Sequence, residues 1–189
     1  MKLCSLLFCA AFFTTAGSMA ADANTLTSEE RTAGWKLLFD GRTLSGWHSF
    51  QKAKPPTKGW HVADGALVNP KSNGRPNGSG GDLVTDAKFR DFDFRFEWRI
   101  SAAGNSGIHY LVDENRPPTK PLYAGDTGKS PVGFEYQVLD DAKHPDGKHG
   151  PTHQAGALYD LFGSERKELK PAGEWNEGRI VVRGNHVEH

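Results

Sequence analysis

The chain has 189 residues, of which 23 are basic and 23 acidic, so its formal net charge is zero. No basic stripe is present, which argues against nucleic acid as a partner. The length suits one domain, and the 22 glycines and 11 prolines, scattered between short alternating segments, favour an all-β fold.

Residues 1–20 have the features of a secretory signal peptide. A positively charged start precedes the short apolar run 3–13, and Ser18-Met19-Ala20 matches a small-x-small cleavage site. The apolar run is too short to span a bilayer. Both cysteines, Cys4 and Cys9, lie in this segment, so the processed chain is expected to have no disulfide and no thiolate. We expect export to the periplasm or to the outside of the cell.

The next segments follow in chain order. Residues 21–33 are interpreted as a linker or short helix, with the helical pattern over 28–33. The dipeptide Asp64-Gly65 predicts a tight hairpin between strands at 60–63 and 66–69. A Gly/Asn/Ser-rich loop is predicted over 71–81. Further strands are predicted at 35–39, 107–112, 132–139, 155–162 and 179–183, with the start of another at 186–189.

The clearest predicted strand covers residues 91–100. Its even-numbered positions carry five apolar side chains and its odd-numbered positions carry charges, so one face must be covered. A second sheet covers such a face most economically. We therefore predict a sandwich of two antiparallel sheets with a shared core, formed by Phe92, Phe94, Phe96, Trp98, Phe134, Tyr136 and Val138.

Residues 132–139 also alternate, but their second face is unusual. Glu135 and Gln137 lie on the face opposite the aromatic side chains, about 7 Å apart along the strand. A carboxylate beside an amide suits a polyhydroxylated ligand. The alternative interpretation is an ordinary solvent-exposed face.

The C-terminal residues predict a hairpin of which only part is present. Gly184-Asn185 follows the apolar run 180–182, and the returning strand stops after four residues. Such a hairpin leaves strand hydrogen bonds without partners. We expect the sequence to be a C-terminally truncated fragment that lacks at least one strand.

A resemblance to a known family is carried by short segments in a fixed order. They include Leu38-Phe39-Asp40-Gly41, Leu44-Ser45-Gly46-Trp47, Gly80-Gly81-Asp82-Leu83, Asn105-Ser106-Gly107-Ile108, Glu135-Tyr136-Gln137-Val138 and Gly173-Glu174-Trp175-Asn176. Together they resemble the 3-keto-disaccharide hydrolase domain family, also described as 3-keto-glucoside 1,2-lyase/3-keto-2-hydroxy-glucal hydratase. The resemblance implies a jelly-roll sandwich over 34–189, like that of concanavalin-type lectins and glucanases. It also implies activity on glucosides already oxidised at C3.

The residues suit this chemistry better than ordinary glycosidic hydrolysis. Sandwich glucanases often carry Glu-x-Asp-x-Glu on one strand, whereas here the matching positions are Glu135, Gln137 and Leu139. The second carboxylate that a glycosidase needs is therefore missing from the strand. A 3-keto sugar has an acidic C2 proton, so one base, an enolate stabiliser and an acid are sufficient. Glu135 is the candidate base, unless it is only an exposed strand carboxylate.

Four further residues are candidates with competing interpretations. Glu97, between two arginines, fits a surface ion-pair ladder better than a substrate contact. Asn105 is a substrate or oxyanion contact by the family pattern, or part of a turn. Gln137 could bind sugar hydroxyls, and Tyr159 is either the catalytic acid or a half-buried aromatic. His109 shares the face of Glu135 but differs from the family pattern, which argues against a catalytic role.

The segment 140–149 gathers three carboxylates and two imidazoles, so it could hold a divalent cation. Its spacing matches no calcium loop, and Lys143 and Lys148 would oppose a cation. A solvated loop is therefore favoured over a metal site. An ion bound there would polarise O3 of the ketone.

Two other function classes remain open at this point. A non-catalytic carbohydrate-binding module would use Trp47, Trp60 and Trp175 as stacking platforms, and an ordinary glycosidase is the third possibility. In each case the expected partner is a carbohydrate. Neither nucleic acid nor a membrane span is expected.

Overall fold

A computed structural model describes residues 24–70, 80–115, 132–165 and 167–189. The expected signal peptide and most of the predicted 71–81 loop lie outside these residues. Within the described ranges, no helix is long and apolar enough to cross a membrane. The elements are α1 (Ser28–Thr32), β1 (Trp47–Ser49), β2 (His61–Ala63), β3 (Ala66–Val68), β4 (Leu83–Thr85), β5 (Phe92–Trp98), β6 (Asn105–Tyr110), β7 (Phe134–Leu139), β8 (Asn176–Arg183) and β9 (His186–Glu188).

Helix α1 occurs where the sequence predicted a short helix. Its N-cap is Thr27, whose hydroxyl accepts a hydrogen bond from the Glu30 backbone N–H at 3.1 Å. The Glu30 carboxylate accepts the Thr27 backbone N–H at 2.9 Å in return. This reciprocal capping box stabilises a helix of only five residues.

All strand pairs within the described residues are antiparallel, and they pair as β1-β4, β2-β3, β5-β8-β9 and β6-β7. The predicted hairpin between β2 and β3 is confirmed. Asp64 and Gly65 both have positive φ, 49° and 72°, as a two-residue hairpin turn requires. The all-β, antiparallel prediction is therefore confirmed.

Strands β5 and β7 face each other across the core. Phe96 of β5 contacts Tyr136 of β7 edge to face, with ring centroids 5.1 Å apart. Phe92 meets Tyr110 of β6 in the same way at 6.2 Å. These contacts join two sheet layers around one apolar centre, which confirms the sandwich.

Six of the seven predicted core side chains belong to this core, either buried or packed against it. Phe134 is the exception, since it is 39% exposed. It is the first residue of β7, where its ring contacts Tyr110.

The prediction of a strand at 35–39 is wrong, because this segment is irregular and belongs to none of the sheets formed by the described residues. Trp35 instead packs under the Arg95 guanidinium, 4.2 Å from the ring centroid. Arg99 covers Trp175 at 4.8 Å on the same outer face of β5. Cation–π contacts thus cover part of the charged face of this strand.

The predicted strand at 155–162 forms only isolated bridges, from Leu158 to Tyr136 and to Phe162. The chain follows β7 as far as Tyr159, whose N–H donates to the Glu135 carbonyl at 3.0 Å. It then turns at Asp160, which has a φ of 63°. That turn ends the extended segment and leaves the Tyr159 side chain beside β7.

Candidate functional site

The candidate site lies on the face of the β6-β7 pair that points away from Tyr136 and the core. The register pairs His109 with Glu135 and Gly107 with Gln137. Side chains from neighbouring strands that pair in this way share one side of the sheet. We call this side the site face.

Glu135 is the central titratable group of the site face. Its side chain is 22% exposed, and its Oε1 lies 3.8 Å from Nε2 of His109. Burial, together with the negative charges of Asp146 and Asp82, raises the pKa of Glu135 to about 7. A carboxylate with a pKa near neutrality can accept or donate a proton under physiological conditions.

Two short 3₁₀ turns, Pro145–His149 and Pro151–His153, carry the second group of side chains. The first turn is capped by His144, whose Nδ1 accepts the Asp146 backbone N–H at 3.1 Å. Each turn begins with proline, whose fixed φ suits the start of a helical turn. The two turns bring Asp146, His149 and His153 together.

The Asp146 carboxylate is at the centre of this group. Its Oδ2 accepts from the Tyr159 hydroxyl at 3.1 Å and from Nε2 of Gln137 at 3.4 Å. Its Oδ1 lies 3.1 Å from Nδ1 of His149 and 3.1 Å from Nδ1 of His153. Burial alone would raise the pKa of Asp146, but hydrogen bonds from His149, Tyr159 and His153 outweigh it and lower that pKa.

Asp146, His149 and His153 could also hold a metal ion. Each residue offers one ligand atom, and these three atoms all lie within 4.8 Å of one another. A carboxylate and two imidazoles form a ligand set of the kind that divalent transition metals take in proteins.

Tyr159 connects the two groups. Its hydroxyl lies 3.1 Å from Nδ1 of His153, and the two rings pack edge to face with centroids 4.8 Å apart. Burial and then the charge of Asp146 raise the pKa of Tyr159 far above its ordinary value, so the phenol keeps its proton. The phenol is therefore a hydrogen-bond donor at neutral pH.

The structure brings Glu135, Gln137 and Tyr159 together and leaves two other predicted residues apart from them. Gln137 is 1% exposed, so its amide supports Asp146 instead of facing a ligand. Asn105 is exposed at the start of β6 on the site face. Glu97 is exposed on the outer face of β5, in the opposite layer, because its neighbour Phe96 points into the core.

The sequence favoured a solvated loop over a metal site for 140–149 and did not indicate the role of Gly107. Lys143, Lys148 and His149 of this segment are exposed, whereas the Asp146 side chain is only 15% exposed and lies 3.1 Å from His153. The available signal was the spacing of Asp146, His149 and His153 along two proline-initiated turns. Gly107 was predicted as the start of a strand or as part of a turn, and its role was not recognised because it depends on the Glu135 side chain across the strand pair.

The tryptophans suggested as stacking platforms have other contacts. The indole N–H of Trp47 donates to the Leu38 carbonyl at 2.8 Å, and that of Trp60 to the Gly81 carbonyl at 2.8 Å. The ring of Trp175 lies under Arg99. These contacts tie the rings to the fold, which weakens the interpretation as a lectin-like module.

Comparisons with known proteins agree with this architecture. A family model described as a 3-keto-alpha-glucoside-1,2-lyase-like domain matches residues 34–189. A 3-keto-disaccharide hydrolase of Bacteroides thetaiotaomicron is 37% identical over 177 residues, which cover 90% of this chain. The chain spans 60% of the length of that relative.

Two crystal structures of presumed glycosyl hydrolases from Parabacteroides distasonis are similar in fold. The first has a TM-score of 0.70 and is 33% identical in sequence, and the match covers 88% of this chain and 71% of the crystallised chain. The second has a TM-score of 0.53 and is 21% identical in sequence, and the match covers 75% of this chain and 65% of the crystallised chain. This likeness supports the fold alone.

Proposed function

The chain belongs to the 3-keto-alpha-glucoside-1,2-lyase-like domain family, and from this membership we propose that it cleaves glycosides oxidised at C3 by elimination across C1 and C2. The observation that carries the proposal is Glu135, a largely buried carboxylate on the site face with a pKa of about 7. A further part of the proposal is that the protein is exported and meets its carbohydrate substrate in the periplasm or outside the cell.

The proposed reaction needs one general base close to the C2 proton. The C3 ketone acidifies the C2 proton, and the Glu135 carboxylate takes that proton. The electron pair of the broken C2–H bond forms the C1=C2 double bond by way of the enolate at O3, while the C1–O bond breaks. The leaving oxygen departs with its bonding pair and takes a proton from Tyr159, the proposed acid, which regains a proton from solvent. Water can then add across the double bond to give the free 3-keto sugar.

Hydrogen-bond donors for the developing charges are available nearby. Tyr159 keeps its proton at neutral pH and is the proposed donor to the leaving oxygen, for which its hydroxyl would turn from Asp146 to the substrate. Asn105, exposed on the same face, is the proposed contact for substrate hydroxyls or the enolate oxygen. Donors placed where charge develops in the transition state are usually a large part of catalysis.

Direct glycosidic hydrolysis is a second candidate, and one observation favours it. Glu135 has a raised pKa and Asp146 a lowered one, and two carboxyl groups with separated pKa values are the usual acid and base of a glycosidase. The sequence argued against this mechanism only because the strand itself carries one carboxylate. Asp146 reaches the site from a different segment.

An isotope experiment distinguishes the two mechanisms. The protein is incubated in heavy water with a 3-keto-glucoside and, separately, with the unoxidised glucoside, and the products are analysed by NMR. Elimination predicts deuterium at C2 of the product or recovered substrate and no turnover of the unoxidised glucoside. Product without C2 label, or turnover of the unoxidised glucoside, would contradict elimination and favour direct hydrolysis. Binding without turnover of either sugar would favour the lectin-like alternative.

A further inference from the structure

We propose that Asp146, His149 and His153 bind a divalent first-row transition-metal ion, with coordination positions left open toward the substrate. The two turns 145–149 and 151–153 deliver one ligand atom from each residue to a common point. The site lies beside Tyr159 and on the same side of the sheet as Glu135.

The distances agree with cis ligands around one ion. Oδ1 of Asp146 is 3.1 Å from Nδ1 of His149 and 3.1 Å from Nδ1 of His153. Two ligand atoms that each lie about 2.1 Å from a metal, at an angle of roughly 95°, are separated by about 3.1 Å. These two contacts are hydrogen bonds in the ion-free protein, and coordination would replace them and bring the imidazole nitrogens, now within 4.8 Å of each other, around the ion.

The surrounding hydrogen bonds present one oxygen of Asp146 to the ion. Tyr159 and Gln137 donate to Oδ2 and leave Oδ1 facing the two imidazoles. This is the arrangement expected of a monodentate carboxylate ligand whose second oxygen is held by outer hydrogen bonds.

His153 has a matching outer partner. Its Nε2 lies 3.4 Å from Oδ1 of Asp160, so a proton on Nε2 would point toward that carboxylate. A ligating imidazole commonly donates its second N–H to a carboxylate in this way. With Nε2 protonated in this way, the lone pair of Nδ1 would be free to bind a cation placed between Nδ1 and Oδ1 of Asp146. The competing arrangement, without an ion, is a hydrogen bond in which Nδ1–H of His153 donates to Oδ1 of Asp146.

Charge and access also favour a cation. The carboxylate of Asp160 borders the group, the negative charge of Glu135 is close enough to interact with Asp146, and the His149 side chain is 66% exposed, which gives an ion a route from solvent. The lysines that would oppose a cation, Lys143 and Lys148, are exposed.

The ligand types indicate which ions fit. Calcium and magnesium prefer sites made of oxygen atoms, whereas two imidazoles and one carboxylate suit ions such as zinc, iron, nickel or copper, for which cobalt is a spectroscopic substitute. Three protein ligands leave positions for water or substrate. If the proposed elimination is correct, the ketone oxygen at C3 and the adjacent hydroxyl oxygen would take these positions, and this role rests on the proposed function. The metal site itself does not.

Cobalt binding tests the site without substrate. Protein stripped with a chelator is titrated with Co²⁺ and followed by visible absorption and calorimetry. We expect saturable binding of one ion, weakened about tenfold or more in His149→Ala and in His153→Ala. The control variant His61→Ala removes an exposed histidine of β2 and should bind like the unchanged protein.

Circular dichroism establishes that each variant is folded. If His153→Ala does not fold, His149→Ala decides the outcome, because its side chain is mostly exposed. Absence of saturable Co²⁺ binding by the folded protein, or equal affinity in His149→Ala and His61→Ala, would overturn the proposed site and leave the imidazoles as hydrogen-bond partners of Asp146. Because no substrate is used, a negative result here is independent of the heavy-water experiment.

A final experiment tests whether the substrate occupies the open coordination positions of the ion. The 3-keto-glucoside is added to the Co²⁺-loaded Glu135→Gln variant, in which turnover should be slow. A change in the cobalt absorption bands that saturates with the sugar is expected. Unchanged bands at a sugar concentration that saturates binding by calorimetry would show that the ion does not contact the substrate.

Discussion

The carboxylate of Glu135 occupies the space above Gly107: a Cβ atom on residue 107 would lie 1.8 Å from Oε1 and 2.6 Å from Cδ of Glu135. Carbon and oxygen atoms that are not bonded cannot approach so closely. The missing side chain of Gly107 therefore allows Glu135 to adopt its position on the site face.

Substituting Gly107→Ala should displace the Glu135 carboxylate while keeping the fold. We expect kcat/KM for a 3-keto-glucoside to fall about 10²-fold, since a shift of about 1 Å in a catalytic group can cost that much. Stability should change by about 1 kcal/mol or less, because alanine is at least as good as glycine within a strand. The neighbouring Ser106→Ala, whose residue is exposed, is the matched control. Full activity in Gly107→Ala would show that the position of Glu135 is not critical.

Glu135→Gln should lower the rate and raise the stability. Removing the proposed base predicts a rate loss of about 10²–10⁴-fold with substrate binding largely kept. The control is Glu97→Gln on the outer face of β5, which should retain activity within about twofold, as surface changes usually do little. A comparable rate loss in both variants would argue against a special role for Glu135.

The stability gain of Glu135→Gln follows from its raised pKa. Because folding raises this pKa from 4.5 to about 7, the protein loses stability as the pH rises through this range and the buried group ionises. Above about pH 7 the neutral amide should therefore stabilise the fold, by roughly 1–3 kcal/mol. Urea unfolding at acidic and alkaline pH measures this difference. A variant that is less stable than the unchanged protein at alkaline pH would contradict the assigned burial cost.

The rate of C2 proton exchange should rise with pH through about pH 7 and then level off. Only the ionised form of Glu135 can accept the proton, so the rate should increase about tenfold per pH unit below its pKa of about 7. The measurement is deuterium uptake at C2 across a pH series. A rate that falls with rising pH in this range would mean that Glu135 acts in its protonated form.

The contacts of His48 predict a second pH effect, which concerns the stability of the fold and not the activity. Burial would lower its pKa, but hydrogen bonds to Asp86 at 2.6 Å and to Glu114 at 3.1 Å outweigh burial and raise it. This contribution to stability is present below about pH 6.5 and is lost as the pH rises through the folded-state pKa. Asp86 is 58% exposed, so we expect less than about 1 kcal/mol.

The measurement for His48 compares the unchanged protein with His48→Gln by urea unfolding at about pH 6 and about pH 9. The stability difference between them should be larger at the lower pH. An equal difference at both values would show that the ion pairs of His48 do not contribute.

The sequence predicted the fold where side chains alternate over a long run. Strand β5 was found because its apolar and charged positions alternate without exception over 92–98. Strands β1 and β4 were missed, since three residues are too few to show a period. The segment 35–39 has the composition of a strand but packs through Trp35 under Arg95, a contact between residues sixty positions apart.

The candidate site was predicted in part for a similar reason. Glu135 and Gln137 were identified because they share one strand face, a local property. Asp146 and His153 depend on folded turns that carry them to Tyr159, and the burial of Gln137 depends on those same turns covering β7. Such contacts arise from the folded chain and leave little signal in local periodicity.

The segment that carries Tyr159 also has a consequence for solubility. The Ala157 carbonyl accepts the Gln137 backbone N–H. In the other direction, the Gly156 N–H donates to the Gln137 carbonyl and the Tyr159 N–H donates to the Glu135 carbonyl. These bonds occupy the outer edge of β7, where open N–H and C=O groups would otherwise invite pairing with a strand of another molecule. The chain that completes the site thus also shields an aggregation-prone edge, so changes that loosen it should promote self-association as well as reduce activity.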